Sequence, residues 1–269
     1  MSSALSPLRD AYGRVVRKLR ISLTDRCNFR CGYCMPEKPQ WADPHSLLQL
    51  PDHLRMVRLL ARRGGLSSLR LTGGEPLLVP WVPELIQALR EAPETADLRI
   101  GMTSNGLLLQ SRAEALLQAG LNDVNVSIDT LDPERFDALT RTQGRLAGVL
   151  QGIRSARAAG LPVKLNCVLV RGRNEADLLP LLEWALAEDL TLRFIEFMPL
   201  EGGAWWRKEA VITEAEILRQ VGAHFGLPQK VEGEEGPATL YSLPGGGRFG
   251  VIPTVSRPFC GQCDRLRLT

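Results

Sequence analysis

The sequence lacks any apolar run of about 18 residues, the length that a membrane-spanning helix requires. It also lacks an apolar N-terminal segment of the kind that directs secretion. Residues 1–20 contain Ser and Arg and few acids, which leaves a transit peptide as a minor alternative. A net charge of only +3 does not indicate nucleic-acid binding. We therefore expect a cytoplasmic protein that binds neither a membrane nor nucleic acid.

Histidine is scarce and cysteine is unevenly spread. The chain has three histidines and six cysteines, and five of the cysteines fall into two tight clusters, Cys27, Cys31 and Cys34, and then Cys260 and Cys263. A secreted disulfide framework spreads its cysteines more evenly, so metal or cluster binding in a reducing compartment is the better interpretation. The remaining Cys167 alternates with apolar residues, which is typical of a core thiol.

The first cluster has the spacing Cys-x3-Cys-x2-Cys and directly follows a predicted strand. Thiolates hold iron–sulfur clusters, and three of them can bind a four-iron cluster while one iron stays open to a small ligand. The alternative is a structural zinc site. Zinc usually takes four ligands, and the nearest histidines, His45 and His53, are distant in sequence.

The first 200 residues alternate strand-like and helix-like segments. Helix-capping glycines at positions 64, 120 and 160 and a first-turn Pro51 support the boundaries. Strands are predicted over residues 18–23, 68–71, 98–103, 123–128, 163–170 and 191–197, and helices over residues 51–63, 81–90, 112–119, 146–159 and 175–188. Such alternation predicts an α/β fold with a parallel sheet and right-handed crossovers. Six units fit a partial (β/α)6 barrel of the TIM type, and a doubly wound open sheet is the competing architecture.

The pattern changes near residue 200, where Gly202 and Gly203 mark a break. We therefore divide the chain into a barrel over residues 1–200 and a small C-terminal cap region over residues 201–269. One helix is predicted over residues 213–225, with Thr213 and Glu216 as a capping box. Residues 229–237 are predicted to be a loop, and two short strands follow over residues 238–242 and 248–252.

The sequence Leu-Thr-Gly-Gly-Glu-Pro closes the second predicted strand at residues 71–76. Ligands of parallel α/β folds bind beyond the carboxyl ends of the strands. We expect Gly73 and Gly74 to let a ligand approach the backbone and Glu75 to offer its carboxylate to an amino group.

These motifs resemble the radical S-adenosylmethionine (SAM) superfamily, and more specifically its GTP 3′,8-cyclase family of molybdenum cofactor biosynthesis. The resemblance is carried by RCNFRCGYCMP at residues 26–36, LTGGEP at 71–76, TSNG at 103–106, NVSID at 125–129, VKLN at 163–166, RFIEFMP at 193–199 and FCGQCDRLRLT at 259–269. It extends from about residue 20 to the last residue, with the motifs in the family's order.

The resemblance implies a role for each matching residue. Cys27, Cys31 and Cys34 would hold a [4Fe-4S] cluster to which SAM binds. Contacts with SAM would come from Tyr33, Gly73, Gly74, Glu75, Ser127 and Met198. Contacts with GTP or its phosphates would come from Arg20, Arg70, Thr103, Lys164, Arg193, Arg265 and Arg267, the last two also being expected to assist catalysis. Cys260 and Cys263 would be two of three ligands to a second cluster. We expect the third ligand beyond Thr269, so that the second cluster is incomplete within these residues and Arg265 and Arg267 are mobile.

The residues themselves support part of this interpretation. Arg20, Arg70, Lys164 and Arg193 lie on predicted strands, where cations more often point at an interior anion than on helices or loops. A triphosphate needs several such groups at once. The alternative for any one of them is a salt bridge at a strand end. Two segments depart from the family: Ser68 stands where the family usually has Lys, and Val79, Pro80 and Trp81 replace its Arg-Arg-Asp.

The predicted function is therefore a radical SAM GTP 3′,8-cyclase that converts GTP to 3′,8-cyclo-7,8-dihydro-GTP. Expected partners are GTP, an electron donor and the next enzyme of the molybdenum cofactor pathway, and a homodimer is left open. Two other functions are considered: a peptide-modifying radical SAM maturase, which would carry more auxiliary cysteines, and a non-catalytic zinc or iron–sulfur module.

Overall fold

The computed structural model describes residues 6–199, 205–233 and 236–269. Seven α-helices lie in these ranges: α1 (Leu50–Arg62), α2 (Val82–Glu91), α3 (Leu109–Gln118), α4 (Pro133–Thr140), α5 (Leu146–Ala158), α6 (Leu178–Ala187) and α7 (Glu214–Phe225). They also contain ten strands: β1 (Lys18–Ser22), β2 (Ser68–Thr72), β3 (Arg99–Ser104), β4 (Asp123–Ser127), β5 (Val163–Leu169), β6 (Thr191–Glu196), β7 (Gln229–Lys230), β8 (Thr239–Ser242), β9 (Arg248–Ile252) and β10 (Arg265–Leu268). None of the described helices has the length and apolarity needed to cross a membrane.

The strands form one sheet in the order β10-β1-β2-β3-β4-β5-β6-β9-β8-β7. β1 to β6 are parallel neighbours in chain order. A doubly wound sheet reverses its strand order at a switch point, and this sheet has no reversal among β1 to β6. Right-handed crossovers in one direction place the connecting helices on one face. The predicted partial (β/α)6 barrel is therefore confirmed.

The face of the sheet that carries the helices is apolar. Alternate strand residues are fully or almost fully buried there: Leu19, Ile21, Leu69, Leu71, Ile100, Met102, Val124, Val126, Leu165, Leu192 and Phe194. Cys167 lies among them with no exposed surface, as predicted for a core thiol. Because side chains alternate between the two faces of a strand, the residues between these positions must point into the concave side.

Most predicted boundaries are confirmed. Gly64, Gly120 and Gly160 have positive φ just beyond helix ends, and Thr213 and Glu216 form the expected capping box of α7. α4 was missed, although Asp132 caps it and Pro133 begins it. The predicted loop at 229–237 begins with β7. The domain boundary at 200/201 and the break at Gly202 and Gly203 lie outside the described residues.

The C-terminal region contributes strands to both sides of the six-stranded parallel sheet. β9 pairs in parallel with β6 on one edge, and β10 pairs in parallel with β1 on the other. Arg265 and Arg267 both lie within β10, and their expected mobility stays a prediction.

The loop that carries the first cysteine cluster is anchored by two glycines. The amide of Gly74 donates to the carbonyl of Thr24, and that of Glu75 donates to the carbonyl of Arg26. A Cβ at Gly74 would collide with the Arg26 carbonyl, and one at Gly73 would lie 2.5 Å from the Thr24 carbonyl oxygen. The close approach that requires glycine in this structure is therefore to the protein's own backbone, and the expected contacts of Gly73 and Gly74 with a ligand stay predictions.

The end of α4 anchors the same loop from the other side. The amides of Arg30 and Gly32 donate to the carbonyls of Thr140 and Leu139 in the last turn of α4. These carbonyls lack partners inside the helix, so the loop satisfies them. The missed helix is therefore part of the scaffold that places the cysteines.

We predict that Gly74→Ala destabilises the protein by about 1–3 kcal/mol, because the added methyl group must displace the backbone before Cys27. The reconstituted variant should also bind less iron than the wild type. Thermal unfolding and iron analysis measure the two effects. Gly245→Ala is the matched control, since a Cβ there meets nothing within 4 Å. Equal behaviour of the two variants would show that the glycine contact does not position the loop.

Candidate active site

Three thiols lie close together in the loop after β1. Cys27 and Cys31 are half-buried and Cys34 is exposed. Burial raises the pKa of Cys31 well above its usual value, with further contributions from Asp129 and the other two cysteines. Burial also raises the pKa of Cys27. Such thiols give up their protons on binding metal, which couples deprotonation to loading of the site.

The surroundings of Cys27 suit a cluster ligand. The amide of Phe29 lies 3.4 Å from its sulfur, and the Asn105 side-chain nitrogen lies 3.8 Å from it. Asn105 also donates to Asn28 at 2.6 Å, which fixes the amide. Hydrogen bonds to sulfur orient cluster ligands and tune the cluster. The donor set therefore fits a [4Fe-4S] cluster, in which each thiolate binds a different iron.

No three His, Cys, Asp or Glu side chains in the described ranges are grouped as they would be around a single metal ion. Three thiolates of a cluster do not need to converge on one point, because the cluster spans them.

Tyr33 and Trp205 enclose the cysteine loop. The Tyr33 hydroxyl donates to the Asp129 carboxylate at 2.6 Å. Burial raises the pKa of Asp129 to about 6, although this bond and the Val168 amide oppose the shift. A Cβ at Gly32 would collide with the Trp205 ring, so the indole packs directly on the loop. The guanidinium groups of Arg173 and Arg141 lie 4.5 and 5.7 Å from the centre of that ring.

The carboxylate of Glu75 is bonded within the chain in this structure. Its side chain is 1% exposed, and both carboxylate oxygens accept hydrogen bonds from the chain itself. The donors are the Leu77 amide, the Ser104 hydroxyl and the Asn105 amide, at 2.7–3.0 Å. These bonds position Asn105 beside the cysteine loop, and the expected contact of Glu75 with an amino group stays a prediction.

The predicted substrate residues share the concave face of the sheet. Register pairs Arg20 with Arg70 and with Arg267, and paired residues point to the same side. Farther along the sheet, Asn125 pairs with Thr103 on one side and with Lys164 on the other, and Asn166 pairs with Arg193. All seven predicted residues therefore lie opposite the helices: Arg20, Arg70, Thr103, Lys164, Arg193, Arg265 and Arg267.

Several of these cations repel one another. Burial, followed by repulsion from Arg70, lowers the pKa of Arg193 to about 10. Desolvation by the surrounding protein, followed by repulsion from Arg265 and Arg267, lowers the pKa of Arg20, although the residue keeps exposed surface. Burial and Arg267 also lower the pKa of Arg265. Apart from Arg70, none of these arginines has a carboxylate in salt-bridge range within the described residues. A bound polyanion would therefore offset both the desolvation of the guanidinium groups and their mutual repulsion.

The contacts of Arg70 and Arg193 identify residues that the sequence interpretation missed. Arg70 is held at 2.7 Å by Asp123, which also binds Arg99. The Nε of Arg193 donates to Asn166 at 3.0 Å. Asp123 and Asn166 occupy concave-face positions of β4 and β5. Their alternation with apolar neighbours in the sequence was the signal that could have placed them on the same face as the cations. Lys164 is exposed on this face.

Cys260 and Cys263 lie beside the arginines of β10. Together with Met198, Arg265 and Arg267 they line a cavity of about 430 Å³. Arg14 donates to the carbonyls of Cys260 and Gly261, both at 2.8 Å. A smaller cavity of about 220 Å³ brings together Arg20, Gly73 and Arg267. The two C-terminal cysteines and the strand-borne cations therefore open onto the same side of the sheet.

Two family profiles match the chain. The radical SAM superfamily matches residues 21–185, and Molybdenum Cofactor Synthesis C matches residues 190–269.

Solved structures share the fold at low sequence identity. Streptococcus suis SuiB bound to precursor peptide SuiA has a TM-score of 0.64 at 18% identity, covering 78% of this chain and 46% of SuiB, so the chain spans less than half of that protein. Native anSMEcpe with bound AdoMet has a TM-score of 0.61 at 18% identity, covering 77% and 60%. Such identities show the fold alone and do not favour a peptide substrate.

The sequence relatives are much closer. The GTP 3′,8-cyclase of Mycobacterium marinum is 45% identical over 274 residues, covering 98% of this chain and 74% of the relative. That of Streptomyces coelicolor is 45% identical over 270 residues, covering 97% and 77%. With the cysteine loop, the cationic concave face and both profiles in one chain, this protein belongs to the GTP 3′,8-cyclase family of the radical SAM superfamily.

Proposed function

We propose that this chain binds GTP on the concave face of its sheet and converts it to 3′,8-cyclo-7,8-dihydro-GTP for molybdenum cofactor biosynthesis. The observation that carries the proposal is the set of in-register, mutually repelling cations on that face. A triphosphate is the part of GTP that can neutralise several guanidinium groups together.

Cys27, Cys31 and Cys34 are the proposed ligands of the [4Fe-4S] cluster. When bound, the cluster and SAM supply one-electron chemistry that removes a hydrogen atom from the substrate. The chain's own part is to orient the two molecules and to exclude water from the reacting atoms. Tyr33, Gly74, Ser127 and Met198 are proposed to border SAM; Tyr33 is already fixed by Asp129.

The nucleotide is proposed to lie with its phosphates against the cations and its base toward the C-terminal cysteines. Arg20, Arg265 and Arg267 meet at the β10–β1 edge, while Arg70 and Arg193 are held in place by Asp123 and Asn166. Cys260 and Cys263 are proposed to serve a second cluster near the base. Thr103 and Lys164 complete the proposed contacts with GTP.

Further partners remain proposals. The chemistry needs an external one-electron donor, and the product needs a following enzyme of the cofactor pathway. A cytoplasmic location is proposed because the cluster ligands must stay reduced.

We predict that replacing Cys27, Cys31 or Cys34 by Ala abolishes reductive cleavage of SAM, because each change removes a thiolate ligand. Formation of 5′-deoxyadenosine under strong reductant is the measurement. Cys167→Ala is the control at a buried thiol outside the loop, and it should retain SAM cleavage. Wild-type rates in any of the three loop variants would contradict the proposed cluster site.

A second prediction concerns the phosphates. Arg193→Ala should weaken GTP binding by about 10- to 150-fold, as expected for the loss of a charge-assisted contact worth about 1.5–3 kcal/mol. Lys164→Ala should have a smaller effect because Lys164 is exposed. Both should affect guanosine little, as measured by calorimetric titration. Arg154→Ala, on the exposed side of α5, is the control. Equal losses for GTP and guanosine would show that these residues do not face the phosphates.

A further inference from the structure

One polar side chain on the concave face has no part in the site described above. Asn125 lies in the middle of β4 and is 8% exposed. Its register partners are Thr103 on β3 and Lys164 on β5, which are both proposed contacts of the nucleotide. Asn125 therefore points into the same space as the substrate residues.

The side-chain oxygen of Asn125 is buried and accepts no hydrogen bond from any described residue. Its neighbours on the same face differ in this respect. The oxygen of Asn166 accepts from Arg193, and the carboxylate of Asp123 accepts from Arg70 and Arg99. An unmade bond of this kind costs about 1–3 kcal/mol, and buried polar groups are rarely left in this state. A bound ligand that donates a hydrogen bond would remove the cost.

The chemistry of the nucleotide limits which of its groups can be that donor. Ionised phosphate oxygens only accept hydrogen bonds. The donors of the base are directed, in the proposed binding mode, to the cysteines beside β10. Four strand spacings of about 4.8 Å each separate β10 from β4 along the sheet. The donors of a base held beside β10 are therefore too far away to reach Asn125 on β4. The two ribose hydroxyls are the donors that remain.

We propose that Asn125 accepts a hydrogen bond from a ribose hydroxyl of the substrate and so selects a ribonucleotide over its deoxy analogue. The inference rests on the proposed function, since it takes the concave face as the nucleotide site. It assigns Asn125 to specificity: its buried oxygen is satisfied by a substrate that carries the hydroxyl and stays unsatisfied with one that lacks it.

Calorimetric titration with GTP, 2′-deoxy-GTP and 3′-deoxy-GTP tests the proposal. In the wild type, one of the two deoxy analogues should bind about 2- to 12-fold more weakly than GTP, the range expected for one neutral hydrogen bond. In Asn125→Ala, GTP should bind as weakly as that analogue, so that the ratio between them falls to about 1. Thermal unfolding checks that the variant is folded, and Asn125→Ser serves in its place if it is not.

Asn166→Ala is the matched control, because it removes an amide from the same face that is already bonded to Arg193. It should weaken all three nucleotides and leave their ratios unchanged. Two results would overturn the proposal while leaving GTP binding intact. The Asn125 variants could keep the wild-type ratio of affinities for GTP and the deoxy analogue, or the wild type could bind GTP and both deoxy analogues equally tightly. A wild type that binds none of the three would instead overturn the proposed function, and this inference with it.

Discussion

The alternation of side chains along six parallel strands is the constraint on which the rest of the structure depends. Because every crossover between β1 and β6 runs in the same direction, the helices lie on one face of the sheet. Every second strand residue faces these helices and must be apolar to pack against them. The intervening residues are freed from packing and can carry charge. Because the strands are held in register, the charges of distant segments, such as Arg20, Arg70 and Arg193, are gathered on one concave surface. Protein groups neutralise only part of that charge, and a polyanionic substrate is the natural complement.

Local patterns of this kind are what a sequence can reveal. The six strands, the helix-capping glycines and the core position of Cys167 were all predictable because each depends on a few neighbouring residues. The same reasoning predicts that the strand-borne cations face an interior anion. It missed α4, whose Asp132–Pro133 start is a recognisable signal, and it missed Asp123 and Asn166, which gain meaning only beside their arginines.

Other features depend on contacts between distant residues and could not be predicted. Glu75 turns inward to Ser104 and Asn105, and the two glycines before it pack on residues 24–26. The C-terminal region is joined to the barrel by the fully buried Glu196, which accepts from the amides of Glu214, Val255 and Ser256 at 2.7–2.8 Å. The pairing of β10 with β1 also joins the two ends of the chain, as the bond of Arg14 to Cys260 does at a separation of 246 residues. Local propensity carries no information on such pairings.

The central claim is that the concave face recognises the charge of a nucleotide polyphosphate. The most direct measurement is the affinity of the unmodified protein for GTP, GDP, GMP and guanosine at two salt concentrations. The account predicts that affinity rises with each added phosphate and that GTP binding weakens at higher salt, because screening acts on the charged contacts. Guanosine binding as tightly as GTP, with no dependence on salt, would contradict it.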